Sequence, residues 1–190
     1  MICALGATGA HWRMLCPRAC RALLAAIVLA FAAPAMAQPA DPAVVEAGMR
    51  LYKSDAADCE FCHGWQGLGR QHTVFFSDTV AFGPSLVDSK MTREQMIAVV
   101  SCGKRGGGLM PRYRGDSWSA AYRCDGKVAA DITAADPPLP LNGQRQLTPS
   151  QIEAVVTYVQ AVYQGTGMNV ESCLKYWGTA NRACDVFAGR

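Results

Sequence analysis

The stretch Cys59-Glu60-Phe61-Cys62-His63 decides the reading of this chain. Two thiols three positions apart, with an imidazole directly after the second, form the attachment sequence of a c-type haem. The spacing lets both thiols reach the two vinyl groups along one porphyrin edge and sets His63 under the ring, with a nitrogen for the iron. A bare C-x-x-C would equally suit a redox dithiol or half of a zinc site. The added histidine, and the lack of a βαβ pattern around the motif, narrow the choice to haem. The motif occurs once in 190 residues, so one covalent haem c is expected and multihaem proteins are excluded.

Upstream of the motif, residues 1–37 read as a secretory signal. Arg13, Arg18 and Arg21 supply its positive region, and residues 22–33 are continuously apolar. Ala35-Met36-Ala37 is a small-x-small cleavage site, with Gln38 as the expected mature N-terminus. The apolar run is shorter than the roughly 20 residues that span a bilayer, so a cleaved signal and no stable membrane anchor are expected. The expected location is the periplasm. The chain has 18 Lys+Arg and 15 Asp+Glu, and three of the arginines leave with the signal. The balanced remainder lacks the basic excess of a nucleic-acid binder. Length and composition fit about one domain.

Helical periodicity is clear in three places. Residues 41–53 start with Asp41 as cap and Pro42 in the first helical position, and Val44, Val45, Gly48, Leu51 and Tyr52 recur near helical spacing. Residues 92–102 carry Met96, Ile97, Val99 and Val100, with Thr92 before them and Gly103 after. Thr148 and Pro149 open the strongest helix, whose apolar stripe is Ile152, Val155, Val156 and Val159, ending near Gly165. Residues 59–69 look turn-like, 71–82 look like a loop, and 112–146 show no period and read as an ordered insertion. No strand shows convincing alternation.

In this order the motifs resemble a class I cytochrome c. Gly48 and Tyr52 stand on the helix before the haem motif as that family's glycine and aromatic do. Gly83-Pro84-Ser85-Leu86 resembles its Gly-Pro-x-Leu segment, and Met110-Pro111 after a glycine run resembles its methionine loop. Val155 and Tyr158 match the residues of the last helix that pack on the first. The resemblance covers roughly residues 42–165, apart from the insertion. It implies an all-α cytochrome c fold around one haem, with a domain over 38–165 and a C-terminal extension over 166–190. It also implies that the Pro84 carbonyl accepts the free ring N–H of His63, orienting the ring and raising its basicity.

Candidates for the sixth iron ligand are Met110, His72, Met49, Met91, Met96, Met168 and the lysines. Met110 is favoured by its glycine-rich loop, His72 is the runner-up, and Met91 and Met96 suit helix-face packing. The expected site is therefore Cys59, Cys62, His63, Met110 and Pro84. A thioether ligand favours ferrous iron and closes the iron to small molecules. That implies an electron carrier rather than an enzyme, with redox proteins as donor and acceptor. The alternatives are an iron left open for gas or peroxide, and a fixed cytochrome subunit of a larger complex.

Cys102, Cys124, Cys173 and Cys184 remain after the signal and the haem motif are set aside, and in an oxidising compartment they suggest two disulfides. Three pairings are open; local pairing, Cys102–Cys124 and Cys173–Cys184, is expected. The first would clamp the insertion beside the methionine loop and the second would staple the tail. Long insertions with extra disulfides resemble the cytochromes that serve periplasmic quinoprotein alcohol dehydrogenases. Between residues 102 and 127, Lys104, Arg105, Arg112, Arg114, Arg123 and Lys127 outnumber Asp116 and Asp125. The excess suits either a solvated loop or a docking patch for an acidic partner, with Tyr113 and Trp118 as contact or core aromatics.

Overall fold

A computed structural model describes residues 39–53, 55–69, 83–104, 110–140, 146–179 and 181–189. The signal, His72, the 71–82 loop, Arg105 and the glycines at 106–108 lie outside the described residues. Apart from residue 39, the described residues belong to the unit Ala40–Arg190. It is helical, and its described residues contain isolated bridges but no strand.

Helix α1 (Pro42–Tyr52) starts where the Asp41 carboxylate accepts the Ala43 N–H at 2.8 Å. Helix α2 is the five-residue stretch Cys59–His63. The expected turn over 59–69 thus begins as a helix; Asp58 enters it in the left-handed region at φ 56° and Gly64 leaves it at φ 73°. Helix α3 (Arg93–Cys102) carries a reciprocal cap between Thr92 and Gln95 and stops at Gly103, whose N–H donates to the Val99 carbonyl at 2.8 Å. Helix α4 (Pro149–Val162) repeats that cap with Thr148 and Gln151. Helix α5 (Val170–Trp177) starts at Asn169 in the tail and is followed by a 3₁₀ segment, Arg182–Phe187.

The frame is the crossing of α1 over α4. A Cβ on Gly48 would lie 2.1 Å from the Ala154 carbonyl oxygen and 2.7 Å from Tyr158 Cβ, so only glycine permits this approach. Tyr52 and Tyr158 flank the crossing with ring centroids 5.5 Å apart, and Tyr163 joins them at 5.4 and 5.2 Å. Ile152, Val155, Val156 and Val159 form the buried stripe of α4. Helix α3 leans on α4, where Arg93 donates to the Thr157 hydroxyl at 2.9 Å.

Both expected disulfides are present, Cys102–Cys124 and Cys173–Cys184. The insertion contains two short 3₁₀ turns, Cys124–Gly126 and Ala129–Asp131. It lies against the end of α3 through Tyr113 N–H to Val100 O (3.0 Å), Arg112 N–H to Pro138 O (2.9 Å) and Leu147 N–H to Tyr113 O (2.6 Å). Tyr113 and Trp118 are core residues rather than contact aromatics, since burial leaves them 4% and 3% exposed. The tail also reaches the core: Tyr176 is buried, and Trp65 meets Tyr176, Trp177 and Phe187 at centroid distances of 6.4, 5.6 and 6.1 Å.

Candidate haem site

The motif helix α2 is held by hydroxyl groups from three other parts of the chain. Tyr52, on α1, donates to the Gly64 carbonyl at 2.8 Å. Tyr163, just past α4, donates to the Trp65 carbonyl at 2.7 Å, so the Tyr158 hydroxyl is the donor in its 2.8 Å bond to Tyr163. Tyr176, on α5, donates to the Glu60 carboxylate inside the motif itself. Lys53 caps this contact by donating to the Tyr176 carbonyl and standing over its ring, 4.5 Å from the centroid.

The segment 83–86 closes on the same helix. Gly83 N–H donates to Cys62 O at 3.0 Å, and a Cβ on Gly83 would sit 2.8 Å from both that oxygen and His63 Nδ1. This contact brings Pro84 O to 2.9 Å from His63 Nδ1. A carbonyl only accepts, so Nδ1 carries the proton and Nε2 keeps its lone pair for a metal. Burial lowers the imidazole's basicity, and the Pro84 carbonyl partly offsets this. Gly69, at φ 78°, donates to His63 O at 2.9 Å, and Leu86 N–H bonds Gly67 O at 2.7 Å. Those two glycines were not singled out from the sequence; the Gly-rich run after His63 was their only signal.

Cys59, Cys62, His63, Pro84 and Met110 all line one cleft of about 1180 Å³, including its open mouth. Val155, Val156 and Val159 of α4 line it together with Met91, Met96, Val99 and Val100 from around α3. Met91 and Met96 therefore face this cleft, Met91 from the turn before α3 rather than from the helix. Met110 is positioned by paired backbone bonds with Lys104, Lys104 N–H to Met110 O at 2.9 Å and Met110 N–H to Lys104 O at 3.0 Å. Gly103 makes that pairing possible at φ 72°, where a Cβ would strike Met110 O at 2.6 Å. The adjacent Cys102 is the disulfide anchor.

The residues fit a covalent haem. The lining of the cleft is mostly apolar, as in pockets that hold large organic ligands. Cys59 and Cys62 are thiols, outside the two disulfides. Burial, with Asp58 beside it, pushes the Cys59 thiol up to about 12, so it stays protonated at neutral pH. The imidazole and thioether donors are those of a haem iron. No group of three or more His, Cys, Asp or Glu among the described residues could hold a separate metal ion.

The basic stretch is largely engaged within the protein. Arg114 pairs with Asp116 at 2.5 Å and stacks on Tyr122, Lys127 pairs with Asp136 at 2.5 Å, and Arg112 stacks on Trp118 while donating to Ser117. Lys104 and Arg123 remain exposed.

Residues 43–124 match the family model described as cytochrome C oxidase, cbb3-type, subunit III. The match spans the haem motif, the 83–86 segment, α3 and Met110, and with the helical fold it supports a c-type cytochrome. A domain of this kind binds haem c covalently and transfers electrons. No curated protein and no solved structure matches the chain.

Proposed function

We propose that the chain is a monohaem class I cytochrome working as a periplasmic electron carrier. Cys59 and Cys62 hold the haem, and His63 and Met110 ligate the iron. The observation that carries this reading is that His63, backed by Pro84, and Met110, set by Lys104, line the same apolar cleft. Bound haem supplies a one-electron iron couple. The chain's own residues fix the imidazole ring, deliver a thioether and exclude water with valine and methionine side chains. A filled sixth position favours electron transfer over catalysis. The donor proposed is a periplasmic dehydrogenase, of the quinoprotein alcohol dehydrogenase type, and the acceptor a further cytochrome or an oxidase. Among the described residues no helix is long and apolar enough to cross a membrane.

The ferric absorption spectrum tests the ligand set. A weak methionine-to-iron charge-transfer band at the red end, lost in Met110→Ala, is expected. A high-spin ferric spectrum in the unmodified protein would sink the carrier reading in favour of an open iron.

A second reading is a fixed subunit of a redox complex, favoured by the oxidase-subunit description of the matching family. Size-exclusion of the native extract separates the two: a carrier elutes with the purified monomer, a subunit at much larger size.

A further inference from the structure

Helix α5 stands outside the frame of α1, α3 and α4, and among the helical elements it packs chiefly on the 3₁₀ segment that follows it. The Cys173–Cys184 disulfide joins those two pieces. The stapled pair bears on the haem-attachment segment through side chains. The Tyr176 hydroxyl donates to the Glu60 carboxylate, between the two motif cysteines. Lys53 holds Tyr176 from the other side, donating to its carbonyl and standing over its ring. Trp65, just past His63, meets Tyr176 and Trp177 of α5 and Phe187 of the 3₁₀ segment. That aromatic contact draws on both pieces, and the disulfide is the covalent bond that keeps them side by side. The tail's outer side faces solvent through Trp177 and Val186. The two disulfide cysteines do not: Cys173 is 0% and Cys184 3% exposed. A reductant therefore meets this bond only when the tail opens locally.

We propose that the tail is a redox-sensitive clip on the haem-attachment segment. Oxidised, the Cys173–Cys184 disulfide keeps Tyr176 on Glu60 and the aromatic rings on Trp65; opened by a dithiol, the clip releases residues 59–65. Breaking the S–S bond takes two electrons and two protons from the dithiol, which closes to a disulfide of its own and leaves thiols at Cys173 and Cys184. The coupling runs both ways. A contact that steadies the segment also steadies the clip, so weakening the Tyr176–Glu60 bond exposes the disulfide more often. The clip works the same way whichever side chain fills the iron's sixth position.

The test treats the haem-loaded protein with dithiothreitol, with ascorbate holding the iron ferrous throughout. Free thiols are alkylated at timed points and located by mass spectrometry, and amide hydrogen exchange is followed over residues 59–65 in parallel. Exchange there is expected to rise at the rate at which Cys173–Cys184 is reduced, not at the rate of Cys102–Cys124. Tyr176→Phe keeps the ring and removes only the hydroxyl. It should speed reduction of Cys173–Cys184 about tenfold or more, the factor that follows from losing one hydrogen bond to a charged group. Reduction of Cys102–Cys124 should stay at the parent's rate, since general destabilisation would speed both. The double variant Cys173→Ser/Cys184→Ser should begin with raised exchange over 59–65, and dithiothreitol should add nothing to it. Exchange that stays at the parent's level after Cys173–Cys184 is reduced overturns the proposal. So does a Tyr176→Phe variant that speeds both disulfides equally, or neither. Should the double variant load haem poorly, the parent and Tyr176→Phe decide the matter between them.

Discussion

Gly48→Ala sets two known effects against each other at one atom. In an exposed helix the change stabilises by about 0.8–1.0 kcal/mol through backbone propensity. Here the new Cβ would lie 2.1 Å from the Ala154 carbonyl oxygen and 2.7 Å from both the Ala154 carbonyl carbon and Tyr158 Cβ. A carbon and a carbonyl oxygen tolerate about 3.3 Å, so α1 and α4 must separate by about 1 Å. The nearest atoms are backbone and a Cβ, which cannot swing aside as a long side chain would. Forcing one methyl into a packed contact costs about 1–3 kcal/mol, and a rigid backbone neighbour puts this case at the upper end or beyond. The net expectation is a loss of about 2 kcal/mol. For a chain of this size that lowers the thermal midpoint by about 4–8 °C. The assay is thermal unfolding of the haem-loaded protein followed by far-UV circular dichroism. Because Tyr52 and the α4 valines line the cleft, the methionine–iron band should weaken in parallel. A variant as stable as the parent, or more so, would refute the close crossing of the two helices.

Two further outcomes follow from the insertion. Replacing Cys102 and Cys124 together by serine opens a link with a sequence separation of 22; chain entropy alone makes that a loss of about 3 kcal/mol in denaturant unfolding, and the methionine–iron band should broaden because Gly103 and Lys104 are no longer tethered. A band and a stability like the parent's would contradict the clamp. Asp136 accepts hydrogen bonds from Lys127 and from the Thr133 backbone and hydroxyl, with Lys127 the largest influence, and its carboxyl is held at about 2, below its ordinary value. A depressed carboxyl stabilises the fold above its ordinary value, and that contribution fades as pH falls through about 2. Thermal midpoints measured from pH 5 downward should therefore fall less steeply in Asp136→Asn than in the parent, from a lower start, and parallel curves would count against the contact.

The parts of this fold governed by short-range rules stand openly in the sequence. Asp41, Thr92 and Thr148 each precede a periodic apolar segment, and each caps a helix. Gly48 reads as a crossing point because it breaks a helical stripe with the smallest residue. The segments at 59–63 and 83–86, which form neighbouring walls of the cleft, are both recognisable motifs. The hidden parts depend on contacts between distant residues. Helix α2 has only five residues, too few to show a period, and a glycine run follows it. Helix α5 has eight, and what fixes it is the Tyr176 contact to Glu60, 116 positions away. Sequence counts the charges of the basic stretch without showing what faces them; Asp116, Asp136 and two aromatic rings engage Arg112, Arg114 and Lys127, while Lys104 and Arg123 stay exposed.

The tyrosine hydroxyls on Gly64, Trp65 and Glu60 carry a consequence for speed. An electron moves quickly only when its surroundings need little rearrangement as the iron's charge changes. Here the segment that bears His63 is tied to the helix before it, to the end of α4 and to the tail by separate hydrogen bonds. In the carrier proposed above, these three bonds would limit how far that segment shifts as the charge on the iron alternates.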